Sequence, residues 1–351
     1  MIDIDKVAVI GAGVMGAGIA AHVANAGIPV ILLDVVPDGA SNRSVLAETA
    51  VHNMLKADPA PLMHKRNARR IQTGNLDDDM SLLAQCDLII EAVIENLEIK
   101  QDLYRRVDTA RKHGSIVSSN TSTIPLAKLV NGLPEDFARD FAITHFFNPP
   151  RYLRLLEVVA GTHTRADAIT SLQVFGDRAL GKSVVLCKDT PGFIANRIGI
   201  LWTTSAIRFA FEDQLSVEEA DAIVGRPMGI PKTGVFGLMD LVGIDLQPHV
   251  SSSMLSSLPA QDMFRDLHQE SELIARMIRE GYTGRKGKGG FYRLNRTNGK
   301  RIKESLDLQT GEYRTARKAS LESIGAGRKG LRALVEHPDK GGRYAWRVLA
   351  H

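Results

Sequence analysis

A histidine that ends one apolar run and a glutamate inside the next are the residues of this chain best placed to move a proton. His145 follows Ala142-Ile143-Thr144 and precedes Phe146-Phe147-Asn148-Pro149-Pro150. Glu157 interrupts Leu155-Leu156-Glu157-Val158-Val159, which otherwise reads as a buried strand. A buried carboxylate without a partner is costly, so Glu157 should be paired. The Pro149-Pro150 turn can fold its strand back beside His145. A carboxylate on one imidazole nitrogen fixes the tautomer and supports the imidazolium, which leaves the other nitrogen to accept a proton. The plainer reading of a lone histidine here is a satisfied core residue.

A second group of residues binds rather than reacts. Lys6-Val-Ala-Val-Ile10 reads as a strand, Gly11-Ala12-Gly13-Val14-Met15-Gly16 as a glycine turn, residues 17–26 as a helix stopped by Gly27, and residues 29–33 as a second strand closed by Asp34. Gly11 permits the tight turn, Gly13 lets backbone approach a pyrophosphate, and Gly16 lets helix and strand pack closely. The phosphates then face unpaired N–H groups and the positive end of the helix dipole, a term of about 0.3–2 kcal/mol. Asp34 can accept from a ribose hydroxyl and would repel a 2′-phosphate, and Val35, Val36 and Pro37 supply no offsetting cation, so the cofactor reads as NAD rather than NADP. An ordinary βαβ turn is the alternative. Ser118-Ser119-Asn120-Thr121-Ser122 ends another strand and can hold a ribose, a nicotinamide or a substrate oxygen; it also reads as a helix cap. Glu91, Glu95 and Lys100 read first as an acidic strand end and a helix cap. Asn196, a poor interior helix residue, reads either as reaching a ligand or as facing solvent. No spacing for a metal ion is read.

These groups need a frame. Further strands fall at residues 87–91, 115–118, 143–145, 155–160 and 183–186, with helices at 97–112 and 166–180. Strands alternating with helices predict an α/β fold, a Rossmann-type, doubly wound, mostly parallel sheet over residues 1–188. A helical insertion at about 38–72 carries His64, Lys65, Arg66, Arg69 and Arg70, which suit an anionic substrate or a solvated helix face. At Asp189-Thr190-Pro191 a capped helix start opens a smaller all-α domain, 189–293. Residues 294–351 read as a basic polar tail or connector. Gly284-Arg285-Lys286-Gly287-Lys288-Gly289-Gly290 lacks the Ser or Thr and the preceding strand of a phosphate loop.

The 351 residues, 44% of them hydrophobic, suffice for two cores. Net charge is +4, but unevenly spread: 13 basic and six acidic residues from Arg296 onward, 31 basic and 34 acidic before it. The globular part has no basic footprint for nucleic acid. No apolar stretch is long enough to span a bilayer. Cys86 and Cys187 read as buried free thiols of a reducing compartment. The first strand leaves no room for a signal or transit peptide, so the expected location is cytoplasmic.

Taken together, Gly11–Gly16, Glu91-Ala-Val-Ile-Glu95-Asn96, Ser119–Ser122, His145-Phe-Phe-Asn148-Pro149, Leu155–Val159, Asp189-Thr-Pro-Gly-Phe-Ile-Ala-Asn196-Arg197, Pro227-Met-Gly229 with Asp240–Asp245, and Gly284-Arg-Lys-Gly287 to Phe291-Tyr292 resemble the L-3-hydroxyacyl-CoA dehydrogenase family, in unbroken order over about residues 5–293. The resemblance implies NAD-dependent oxidation of (S)-3-hydroxyacyl-CoA to 3-ketoacyl-CoA in fatty-acid β-oxidation. His145 would be the base and Glu157 its orienting partner. Ser122 and Asn196 would bond the reacting oxygen or thioester region. Gly11, Gly13, Val14, Met15, Gly16, Asp34, Glu95, Lys100 and Asn120 would hold NAD. The basic insertion resembles a CoA-contacting helical arm, and the helical domain implies a homodimer. Gly229-Ile-Pro-Lys-Thr-Gly234-Val-Phe-Gly237 and the segments 306–313 and 343–346 look more like fusion proteins that also carry an enoyl-CoA hydratase region. A natural short form and a fragment both stay open. A dehydrogenase of a free, gulonate-like hydroxy acid and a catalytically silent NAD-binding scaffold are the other readings.

Overall fold

The computed structural model describes residues 2–297 and 300–351 and divides into two compact units, Met1–Ile194 and Ala195–His351. In the first unit, β1 (Val7–Ile10), α1 (Val14–Asn25), β2 (Val30–Asp34), α2 (Val45–Met54), β3 (Ile71–Asn75), β4 (Leu88–Glu91), α3 (Leu97–Ala110), β5 (Ile116–Ser119), α4 (Leu126–Leu129), α5 (Glu135–Asp140), β6 (Phe141–Phe146), β7 (Leu155–Ala160), α6 (Ala166–Val174) and β8 (Ser183–Cys187) follow in order. The eight strands form one sheet in the order β3-β2-β1-β4-β5-β6-β7-β8. All neighbours pair in parallel except β6 and β7. The central strands are buried on both faces, which accounts for runs such as Val7-Ala-Val-Ile10 and Leu88-Ile-Ile90. Strand order reverses between β2 and β4 across β1, and the crevice at their carboxyl ends is where such sheets bind ligands.

Several expectations need correction. The insertion is mostly not helical: α2 spans ten residues, Lys65–Arg70 is a single 3-10 stretch, and residues 71–75 are the edge strand β3. Only Ile71 in that strand carries a large apolar side chain, so its composition does not betray it; its backbone pairs with β2. The helix expected from Pro191 begins at Ala195. The Asp189 carboxylate instead accepts the N–H groups of Leu126 and Ala127, at 2.8 and 3.0 Å, and so caps α4. The 166–180 helix ends in a π turn, Phe175–Ala179. Cys86 is buried, but Cys187 is only half-buried; both thiols are free.

The second unit holds α7 (Ala195–Glu212), α8 (Val217–Ile223), α9 (Gly234–Val242), α10 (Leu246–Ser257), α11 (Met263–Leu267), α12 (Glu272–Arg279), β9 (Tyr292–Thr297), β10 (Lys300–Leu306), β11 (Tyr313–Thr315), α13 (Glu322–Ala326), α14 (Leu331–Val335) and α15 (Lys340–Ala350). The last stretch is therefore not a polar tail. Strands β9 to β11 form an antiparallel sheet. Leu306, Leu308, Leu334, Tyr344, Ala345 and Val348 share one core with Phe209, Val217 and Phe236. Its positive charge is matched by acids of α8 and of the turn after α7: Arg314 grips Glu218 at 3.0 Å, Lys340 meets Glu219 at 2.7 Å, and Arg343 meets Asp213 at 3.1 Å. A count of charges along the chain reads as a solvated segment because it cannot show that pairing. The Tyr344 hydroxyl, fully buried, donates to the Ala206 carbonyl at 2.9 Å. Tyr344→Phe should cost the second unit about 1 kcal/mol, the usual net contribution of one hydrogen bond; a urea midpoint equal to the unsubstituted protein's would refute this docking of α15. Among the described residues, no helix is long and apolar enough to cross a membrane.

Candidate active site

The glycine turn leaves β1 at the crevice. Gly11 has φ +101°, and a Cβ there would lie 2.6 Å from the Ala92 carbonyl oxygen. A Cβ on Gly16 would lie 1.7 Å from the Gly11 oxygen, so these two glycines are demanded by packing. Gly13 differs: a Cβ there would meet nothing within 4 Å. It stands at the N-cap of α1, without a side-chain cap and without an acid in the first turn. The open face and the uncapped helix end, where Val14 and Met15 follow, suit a pyrophosphate. Asp34, at the end of β2, turns toward the same place. Its carboxylate accepts the Ala12 N–H at 2.5 Å and the Val35 N–H at 2.7 Å. These residues fit a dinucleotide.

Glu91 ends β4 directly opposite Ile10. It is no surface acid: its side chain and that of Lys100 are each 1% exposed, and they meet at 2.6 Å. The Val93 N–H and the hydroxyls of Tyr104 and Ser119 fill its remaining acceptor sites at 2.6–2.7 Å. Lys100 also reaches Glu95 at 3.3 Å. Glu95 in turn gathers the end of β5. It accepts from the hydroxyls of Thr121 and Thr123 and from the N–H groups of Ser122 and Thr123. Burial works to raise its pKa, but the Lys100 charge and these hydrogen bonds outweigh it and hold the carboxyl below the usual range. The helix cap expected here is Asn96, whose side chain accepts the Ile99 N–H. Asn120 accepts the Phe146 N–H at 2.9 Å, latching β5 to β6 and leaving its amide –NH2 for another acceptor.

His145 and Glu157 face each other across the antiparallel β6–β7 pair, directly in register. His145 Nδ1 lies 2.7 Å from Glu157 Oε2. The carboxylate can only accept, so Nδ1 carries the proton and Nε2 is the acceptor nitrogen. Glu157 is fully buried; its other oxygen accepts the Ile194 N–H at 3.1 Å. The Cys187 thiol lies beside it, its pKa pushed up to about 11 by burial and by the Glu157 charge. Phe147 and Phe193 set their rings 4.4 and 5.6 Å from the imidazole. Asn196 belongs to the second unit and sits in the first turn of α7, not in the helix interior.

Sequence reasoning missed the Glu91–Lys100 pair and the threonines on Glu95. The signal was present: Glu91 closes an apolar run as Glu157 interrupts one, and the demand for a partner applies equally. The basic insertion is not a projecting arm. Asn25 of α1 holds it, donating to the Pro61 carbonyl and accepting from the Met63 N–H and the Asn67 side chain. The Gly284–Gly290 loop has its own reason for glycine. Cβ atoms at Gly284 and Gly290 would collide with Asp240, whose carboxylate accepts the Phe291 and Tyr292 N–H groups.

A doubly wound sheet, an open glycine turn with an acid beside it and a carboxylate-held histidine at the same sheet edge define a class: nucleotide-binding α/β proteins. Comparison with known proteins narrows it. Residues 6–190 match the NAD binding domain of 3-hydroxyacyl-CoA dehydrogenase, and residues 192–294 match that family's C-terminal domain. The chain belongs to the 3-hydroxyacyl-CoA dehydrogenase family, and its first unit is the family's NAD-binding domain. It is 41% identical over 319 residues to a Rickettsia felis protein with the provisional name fatty acid oxidation complex trifunctional enzyme, covering 91% of this chain and 44% of that protein. It is 39% identical over 366 residues to a Bacillus subtilis protein provisionally named 3-hydroxyacyl-CoA dehydrogenase, covering 99% and 46%. The chain thus spans less than half the length of these relatives. Among solved structures, Mycobacterium tuberculosis FadB2 superposes with a TM-score of 0.71 at 29% identity, over 84% of this chain and all of that one.

Proposed function

We propose that this chain oxidises (S)-3-hydroxyacyl-CoA to 3-ketoacyl-CoA with NAD, as a step of fatty-acid β-oxidation. The observation that carries the reading is the His145–Glu157 hydrogen bond, set in register at the carboxyl edge of a sheet whose glycine turn suits a dinucleotide. NAD, when bound, supplies the acceptor for the hydride leaving the carbinol carbon. His145 takes the hydroxyl proton on Nε2. Glu157 holds the ring by Nδ1–H and stabilises the imidazolium that forms; in the reverse direction that imidazolium is the acid. The Ser122 hydroxyl bonds the reacting oxygen or the thioester region, and the family resemblance gives Asn196 the same task. Asp34, Glu95 and Asn120, with the turn Gly11 to Gly16, hold the cofactor. Lys100, buried against Glu91 and Glu95, acts through them rather than on the cofactor directly.

The same reading makes the protein a cytoplasmic enzyme and a homodimer through its second unit, and the Rickettsia relative's name suits a longer protein with an enoyl-CoA hydratase region. The test is a turnover panel. Hydroxyacyl-CoA substrates of several chain lengths, acetoacetyl-CoA with NADH for the reverse reaction, and free hydroxy acids are compared with NAD and with NADP. Turnover of CoA thioesters with NAD alone is expected. Turnover of free hydroxy acids only would move the assignment to that substrate class, and normal NAD binding with no turnover at all would make the chain a scaffold.

A further inference from the structure

Lys182, just before β8, is 3% exposed. Its ammonium donates to the Leu153 carbonyl at 2.8 Å and to the Pro150 carbonyl, and lies 5.7 Å from the centre of the Phe146 ring. No described carboxylate pairs with it. His22 of α1 is near enough for the Lys182 charge to help lower its pKa, and it is no anion. Burial pulls the Lys182 pKa down to about 8. A buried ammonium without a counter-ion is expensive, and a position that needed only packing would be filled more cheaply by an apolar side chain.

What this charge holds is the turn from 147 to 154, which joins the strand of His145 to the strand of Glu157. The turn is fastened elsewhere too. Arg151 donates to the Ala60 and Leu62 carbonyls at 2.6 and 3.3 Å, the Tyr152 hydroxyl donates to Ala60 at 3.0 Å, and the Ser183 N–H donates to Arg154 at 2.8 Å. Between the turn and the glycine turn lies a cavity of about 540 Å³, with Asn148, Pro150 and Arg151 on one wall and Gly13, Val14 and Gly18 on the other.

We propose that Lys182 is a positioning residue for the catalytic pair: by gripping the Pro150 and Leu153 carbonyls it sets the hairpin that aligns His145 with Glu157, and with it the wall of the cavity that faces the glycine turn. The proposal rests on the dehydrogenase reading. Lys182→Met and Lys182→Arg, in the full chain, are to be compared with the unsubstituted protein by amide hydrogen exchange of residues 147–154 and by kinetics with acetoacetyl-CoA and NADH. The Met variant should exchange faster in the turn and show a kcat with acetoacetyl-CoA and NADH about tenfold lower, the loss of roughly one charge-assisted hydrogen bond. The Arg variant should recover most of both. Unaltered exchange and kcat in the Met variant overturn the proposal. So does a fall in kcat that accompanies a lowered melting midpoint and that Arg does not rescue, which marks a packing residue. If the unsubstituted protein turns over no acyl-CoA, the dehydrogenase reading fails and the kinetic half of this proposal with it, while the exchange result still decides whether Lys182 holds the turn.

Discussion

His145→Gln should reduce the turnover of acetoacetyl-CoA with NADH by about 10²–10⁴-fold, the range a positioned general acid or base contributes. The substitution is chosen for what it preserves. A glutamine amide can still donate to Glu157, so the buried carboxylate keeps a partner and β6 keeps its register. What it lacks is a nitrogen that gains and loses a proton near neutral pH. The KM for NADH and the melting midpoint should therefore stay near those of the unsubstituted protein, since Gly13 follows β1 and Asp34 ends β2, away from the β6–β7 pair. The loss should fall on kcat, as expected when an interaction made only in the transition state is removed. Near-normal turnover in this variant would mean that His145 is a core residue after all. A collapsed melting midpoint would mean that its place is structural.

Much of this arrangement was legible along the chain because local physics writes it there. A glycine turn between a β-branched strand and an alanine-rich helix can serve few purposes, and Gly11, Gly16 and Asp34 stand where that pattern requires. Glu157 was legible for another reason: a carboxylate in an apolar strand must find a partner, and a twelve-residue separation across a proline turn leaves His145 within reach. What stayed hidden depended on contacts between distant segments. Edge strand β3 has almost no apolar content and exists because β2 offers it hydrogen bonds. Asp189 looked like the cap of the helix after it and instead caps α4, 63 residues earlier in the chain. The basic end of the chain looked solvated because its counter-charges, Asp213, Glu218 and Glu219, lie about a hundred residues upstream. In each case the missed property belongs to a pair and is invisible in either member.

Glu91→Leu should destabilise the first unit by about 3–5 kcal/mol, the usual loss when one member of a buried ion pair is removed. Both side chains are almost fully buried, so solvent screening gives little relief. The loss also strands the hydroxyls of Tyr104 and Ser119 and the Val93 N–H, each of which donates a hydrogen bond to Glu91. One effect opposes this: Glu95 lies 3.3 Å from Lys100 and can take over part of the charge. That draws Glu95 from the threonine segment it organises, so the KM for NADH should rise as stability falls. The double variant Glu91→Leu with Lys100→Met separates the terms. If the uncompensated ammonium dominates, the double variant is less destabilised than the sum of the two single ones and regains part of the urea midpoint lost by Glu91→Leu. If the stranded hydroxyls dominate, removing Lys100 gives no recovery. A loss below about 1 kcal/mol in Glu91→Leu itself, within the range typical of exposed pairs, would show that Glu91 is dispensable beneath the crevice and that Glu95 alone neutralises Lys100.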